Sequence, residues 1–400
     1  MAQVTEYPTL EHRAVLFFGL SLQILVMMFL ARLIVDTGWR MVYPFIPQFS
    51  TGLGLTVVGF SWLIFVRSIA GLTGSIFGIL ADRYGRRRLM TMGLLAEAAG
   101  LIALALSWQW WAVGPMMLFG IGVSTFMPVQ QAYVSDKVDY NKRGRALATI
   151  DMSYAVSGLV GMVIVGWMIE AIGWRSPFLI LGLLCLLAAP VIWFQLPAVE
   201  DRTHTSLTLA TLRSVLAKPN VLASMGVGLL VFLAASCFVT VWGIWLNHDF
   251  NLGAVALGVV ATLIGLAELS GISLSSLFID RIGKRRGSQI GLILASAGFL
   301  LLPFSQGRLF LAVAMLVFLG VVVEFTIVSL FPLYSEQAPE ARATIFSLVG
   351  IGISIGLAVG APITATLWQQ VGLAAVCAVA IVSLFVALFL VWKYLPEHSV

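Results

Sequence analysis

Apolar positions in this chain do not recur at the spacing of one buried face; they run on without a break and are separated by short polar stretches. Ile290–Leu302 and Leu373–Trp392 are typical. About 20 such residues make a helix long enough to cross the hydrocarbon of a bilayer. Read this way, the pattern predicts twelve spans, near 22–48, 56–81, 89–107, 111–134, 145–172 and 177–196, then 220–247, 254–279, 288–305, 308–334, 343–371 and 373–394. The residue-by-residue alternation of a membrane barrel strand is missing. The apolar stretch 14–20 is expected to extend the first helix or to lie in the interface.

Composition agrees with the pattern. Only 10% of the 400 residues are charged and 60% are hydrophobic, whereas soluble domains carry about 25% charge. The chain lacks the polar surface that water requires, so the fold class is an all-α integral membrane protein. Residues 1–13 are polar and acidic, unlike the basic start of a signal peptide, so the first helix is expected to remain.

Cys185, Cys237 and Cys377 fall inside predicted spans as small packing residues, and the four histidines form no ligand cluster, so no metal and no cofactor are expected. The net charge of +5 does not point to nucleic acid, because the bases mark topology. Arg83, Arg86, Arg88, Lys142, Arg143 and Arg145 crowd the loops after spans two and four, and Arg281 and Lys284–Arg286 follow span eight. The opposite loops hold only Arg175 and Arg308. By the positive-inside bias, both termini and the base-rich loops face the cytoplasm.

One segment occurs twice. Gly78-Ile-Leu-Ala-Asp82-Arg83-Tyr-Gly85-Arg86-Arg-Arg88 returns in degraded form as Ser276-Leu-Phe-Ile-Asp280-Arg281-Ile-Gly283-Lys-Arg-Arg286. At the same offset Ser135-Asp136 falls opposite Ser335-Glu336, Arg143 opposite Arg342, and Ile172-Gly173 opposite Val371-Gly372. The chain therefore divides into two parallel repeats, 1–197 and 220–400, joined by the polar linker 198–219, a layout that secondary transporters use. Within the hinge, Gly78 allows close helix approach and Gly85 a positive φ in a short turn. Asp82, at a membrane edge, is placed to accept from the amides that open another helix, such as span eleven.

With twelve spans, a central loop and this hinge, the chain resembles the major facilitator superfamily over its whole length. Gly78, Asp82, Arg83, Gly85 and Arg86 fit that family's signature between spans two and three. The resemblance implies two six-helix bundles related by pseudo-two-fold symmetry, with spans one, four, seven and ten lining a central cavity. It implies that Asp82 latches the halves and that Arg86 pairs with an acid ending span four, here Asp136. Arg143, Asp280, Arg281 and Gly283 complete the expected latch. Two departures weigh against a standard drug–proton antiporter: Met116–Gly120 lacks the span-four arginine, and Gly158–Gly166 lacks the span-five proline.

Ionisable groups at mid-bilayer cost at least ~2.5–3.5 kcal/mol each, so each needs a reason. Arg32, Asp36 and Arg40 follow i, i+4, i+8 along span one and form one slowly drifting stripe; Arg67 in span two is expected to reach the cavity or to pair with Asp36. These bases suit an anionic or strongly polar group, a proton-linked switch, or a structural ion pair. Glu268 and Glu324 have no base nearby in their own spans, and such a carboxyl suits the uptake and release of a proton. Glu324, on a helix that lines the cavity by analogy, ranks first. Glu97, Asp151 and Glu170 read as structural. Gln130 and Gln131, with Tyr43 and Trp242, are expected to supply more of the cavity.

The expected function is a secondary active transporter, not an enzyme, that alternates access to a central site and exports a small molecule with a proton gradient. The alternative is a uniporter or exchanger of organic anions or amphiphiles without proton coupling. No phosphate-binding loop for ATP is present. Expected partners are the lipid bilayer, a small-molecule substrate and protons. The protein is expected to work as a monomer in a prokaryotic cytoplasmic membrane.

Overall fold

The computed structural model describes residues 16–17, 20–73, 81, 84–138, 140–196, 218–338 and 342–397. Among them, the helices are α1 (Leu22–Met41), α2 (Ile46–Leu53), α3 (Val57–Gly71), α4 (Arg86–Leu106), α5 (Val113–Lys137), α6 (Tyr140–Val156) and α7 (Met162–Ala171). They continue with α8 (Ser176–Gln195), α9 (Pro219–Phe250), α10 (Ala254–Ile282), α11 (Lys284–Leu301), α12 (Leu309–Glu336), α13 (Arg342–Gln370) and α14 (Leu373–Tyr394). Among the described residues, eleven helical stretches are long and apolar enough to cross a membrane, or twelve when α2 and α3, which meet at 102°, count as one bent span.

The predicted first span is α1 followed by α2. Pro44, which has no N–H to continue the ladder, falls in the break between them. The second is α3 as far as Gly71, and 74–80 lie outside the described residues. The described part of the stretch 14–20 does not extend α1. Leu16–Phe17 and Leu20–Ser21 instead form a two-residue antiparallel pair, β1 and β2. Ser21 then caps α1 by accepting from the Ile24 amide at 3.3 Å, which fixes where the helix starts. The linker at 198–217 falls outside the described residues.

Large apolar side chains stand on the outer surface. Phe310 is 89% exposed, Phe194 82% and Leu187 65%, the surface of a helix bundle solvated by lipid. Inside, aromatic residues hold the base-poor end of the first half together, with the Phe49 and Phe178 rings 4.5 Å apart.

The duplication reaches the backbone. Gly85 has φ 90° and ψ 131°, and Gly283 has φ 93° and ψ 141°, each opening the helix after the repeated hinge. Gly173 and Gly372 form a second matched pair, at φ +121° and +99°. A side chain in this region is strained, so each turn needs glycine to reverse the chain.

Candidate functional site

Three groups of buried polar residues organise the membrane interior. The first belongs wholly to the first half. Arg32 donates through Nε to Asp36 at 3.1 Å, and its Nη2 lies 3.5 Å from Asp151 Oδ1. Ser153 Oγ donates to Asp36 Oδ2 at 2.6 Å. Gln130 accepts from Arg32 at 3.4 Å and donates to the Met28 carbonyl at 2.8 Å. Asp36 is fully buried, and this closed network satisfies it.

The second group surrounds Arg67. It neither lines the cavity nor pairs with Asp36. Its Nη1 donates to the Trp39 carbonyl at 3.0 Å, its Nη2 to the Tyr43 hydroxyl at 2.9 Å, and its guanidinium lies 3.9 Å from the Trp39 ring centroid. A guanidinium pairs well with such stacked, neutral acceptors, so no carboxylate is needed.

The third group bridges the halves. Arg40 Nη2 donates to Glu268 Oε2 at 2.6 Å, and its guanidinium faces the Tyr154 ring at 4.6 Å. Gly158 lets Arg40 cross, since a Cβ there would fall 3.1 Å from Arg40 Cζ. A cavity of about 300 Å³ opens beside this pair, and Glu324 lines it. No hydrogen bond or ion pair holds Glu324 among the described residues. Trp39, Tyr43, Tyr154, Phe238 and Trp242 supply aromatic walls. Gln130 and Gln131 do not line it. Gln130 is buried against α1, and Gln131 is exposed, 3.4 Å from Asp151.

From this cavity a tight seam runs to the base-poor surface between α7 and α10. A Cβ on Gly166 would fall 2.5 Å from the Ala254 carbonyl oxygen, and one on Gly258 2.6 Å from that of Met162. The helices therefore meet backbone to backbone. A π-turn at Ser157–Gly161 precedes α7, and Thr262 Oγ1 donates to its Leu159 carbonyl at 2.9 Å. Such turns leave carbonyls free for outside donors. At the far end Glu170 Oε1 accepts from the Val255 amide at 2.8 Å, capping α10 from the other half. The seam has a direct test. Gly258→Val is expected to prise it open and increase labelling of a cysteine at Val239 by an impermeant thiol reagent applied from the base-poor side. Unchanged labelling would mean that these glycines do not set the closure.

At the base-rich side Arg86 and Asp136 meet at 2.6 Å. Lys284 and Glu336, at the corresponding positions of the second half, form the same ion pair. Glu397 adds to the second hinge by accepting from the Lys284 amide at 2.8 Å. Arg143 lies on α6 near this side and Arg281 is exposed at the end of α10. Gly78, Asp82, Arg83 and the side chain of Asp280 lie outside the described residues. Glu97 is fully buried against Gly38, with neither carboxyl oxygen partnered among the described residues.

Sequence reasoning missed Ser153, Tyr154, Thr262 and the cross-half cap by Glu170. The cluster of small residues at Gly158, Gly161 and Gly166 was the available signal, because glycines on one helix stretch mark where another helix comes close.

The chain matches the family model of the Major Facilitator Superfamily over residues 28–241 and 224–400. It is 26% identical over 390 residues to a multi-drug resistance efflux pump PmrA homolog of Lactococcus lactis, covering 92% of this chain and 94% of that one. It is 27% identical over 270 residues to the sialic acid transporter NanX of Escherichia coli, 64% of each chain. Its fold is similar to a bacterial homolog of the human lysosomal transporter Spinster, solved inward-facing and unoccupied. That likeness has a TM-score of 0.72 at 15% identity and covers 92% of this chain and 94% of that one. The two-bundle helical architecture, the bridged central cavity and the family match over both halves have one meaning: this multi-pass membrane protein belongs to the Major Facilitator Superfamily of transporters.

Proposed function

We propose that this transporter exports a small molecule against a gradient by exchanging it for protons, through alternating access to the cavity between its halves. The observation that carries the reading is Glu324, a carboxyl group in that cavity with no ion pair among the described residues, next to a second acid, Glu268, whose base comes from the other half. A charged carboxylate at such depth costs at least ~2.5 kcal/mol, so Glu324 is stabilised by a proton or by a bound cation. Either one changes the balance at the Arg40–Glu268 bridge, and the bridge lies at the foot of the seam. The efflux pump among the relatives supports export. The loop charges support a cytoplasmic location for both termini, so that the seam closes the outer side.

The alternative, a uniporter or exchanger of organic anions or amphiphiles without proton coupling, loses support as far as anions go. Arg32 and Arg67 are satisfied within the first half, which leaves Arg40 as the arginine lining the cavity among the described residues. The test is a thermal-stabilisation screen of small molecules of either charge on purified protein, then proton flux in proteoliposomes for each binder. Binder-dependent proton movement opposite to the binder is expected. Transport of a binder with no proton movement overturns the coupling.

A further inference from the structure

Arg40 shows how the cavity holds a cation. Its guanidinium is planar and delocalised, and it sits between the Glu268 carboxylate at 2.6 Å and the face of the Tyr154 ring at 4.6 Å. A carboxylate on one side and an aromatic face on the other is a favourable setting for an organic cation, which gains from both charge and ring quadrupole. The rest of the cavity continues the theme. Trp39, Tyr43, Phe238 and Trp242 offer more aromatic surface, and Glu324 offers a second carboxyl group with no partner among the described residues.

The charge balance decides the sign of the ligand. The charged and titratable side chains lining the cavity are Arg40 from α1, Tyr43 beyond it, Tyr154 from α6, Glu268 from α10 and Glu324 from α12. Arg32 is closed on Asp36 and Asp151, and Arg67 on the Trp39 carbonyl and the Tyr43 hydroxyl. Among the described residues, one base therefore faces two acids. An incoming anion would have to take Arg40 and leave Glu268 buried without its base. Either ligand breaks this buried pair at a cost. An anion, however, leaves Glu268 and Glu324 together with no base among the described residues, whereas an Arg40 displaced by a cation keeps the Tyr154 ring face at 4.6 Å. An incoming cation completes the balance.

We infer that the transported ligand is an aromatic organic cation, and that Arg40 is a tethered stand-in that occupies its subsite at Glu268 when the cavity is empty. This rests on the reading of the cavity as the transport site. The ligand takes Glu268 from Arg40, with its aromatic body against Trp39 and Trp242 and its charge between Glu268 and Glu324. Arg40 then turns back onto Tyr154 and its own half. The Arg40–Glu268 bridge joins the halves at the inner end of the seam, so occupancy and release of the seam are one event. A ligand shifts a conformational equilibrium only through contacts that differ between the states, and this exchange of partners is such a difference.

The test compares two ions of one shape and opposite charge, tetraphenylphosphonium and tetraphenylborate, as equilibrium binding to the full-length protein in detergent, relative to protein-free micelles and with no gradient. The unmodified protein is expected to bind the phosphonium and not the borate. Arg40→Ala is expected to bind the phosphonium about tenfold more tightly, because the competing closed state is gone. The double variant Arg40→Ala/Glu268→Gln is expected to lose that gain. Binding of the borate in preference, or of neither ion, overturns the inference, as does phosphonium binding unchanged or weakened by Arg40→Ala. The charge comparison on the unmodified protein stands even where the variants fold poorly. Failure here is separable from failure of proton coupling. A bound anion whose transport moves protons removes only the cation, while a bound cation whose transport moves none removes only the coupling.

Discussion

Glu324→Gln is expected to abolish uphill transport while leaving energy-independent exchange of substrate across the membrane. Gln keeps the shape and hydrogen-bonding capacity of a protonated carboxyl group but cannot release the proton. Moving one charge across 100 mV is worth about 2.3 kcal/mol, and each 1.4 kcal/mol is a factor of ten. Loss of one coupled proton therefore lowers the attainable substrate ratio by roughly 40-fold at that potential. Proteoliposomes assayed first with a gradient and then for counterflow separate the two activities. If Glu324→Gln still drives accumulation to the unmodified level, Glu324 does not carry the proton. Glu268→Gln is expected to behave differently, because it also frees Arg40 and so weakens the bridge between the halves.

Asp36→Asn is expected to have the largest effect on stability. The substitution leaves Arg32, whose side chain is only 9% exposed, without its main partner. Removing one member of a buried pair costs about 3–5 kcal/mol. The low end is expected, because Gln130 at 3.4 Å and Asp151 at 3.5 Å still reach the guanidinium. The double change Arg32→Met/Asp36→Leu is expected to recover most of the loss, since a packed apolar pair of similar volume replaces a buried ion pair at little cost. Thermal unfolding in detergent reads both. A single variant as stable as the unmodified protein would mean that Gln130 and Asp151 suffice to hold Arg32.

The spans, their number and the duplicated hinge were legible in the chain because lipid leaves few choices. A backbone in hydrocarbon has to satisfy its own hydrogen bonds, so every long apolar run becomes a helix. Matched turns were legible for a similar reason, since Gly85 and Gly283, and Gly173 and Gly372, occupy conformations that other residues resist. The pairing of Arg32 with Asp36 follows from a local spacing of four.

What the spacing could not give was the direction of the stripe. Each step of four residues overshoots a full turn by about 40°. Asp36 therefore turns towards Ser153 within its own half, while Arg40 has drifted far enough to meet Glu268 in the other. Which helix waits at that angle is a property of the assembled bundle. Gln130 failed as a cavity residue for the same reason. It sits on a helix that the resemblance expected to line the cavity, but no described residue of α5 does so, and its face meets the Met28 carbonyl.

The seam also has an electrical meaning. Along α10, Val255 at its base-poor end and Glu268 at its foot are separated by thirteen residues, about 20 Å of helix at 1.5 Å per residue. The hydrocarbon is about 30 Å thick, so most of the membrane potential falls across this closed stretch of protein. A charge that passes between the cavity and the base-poor side crosses roughly two-thirds of the field in one opening, worth about 1.5 kcal/mol per 100 mV. On the proposed route through this cavity, voltage therefore acts on the transport cycle chiefly where α7 and α10 part.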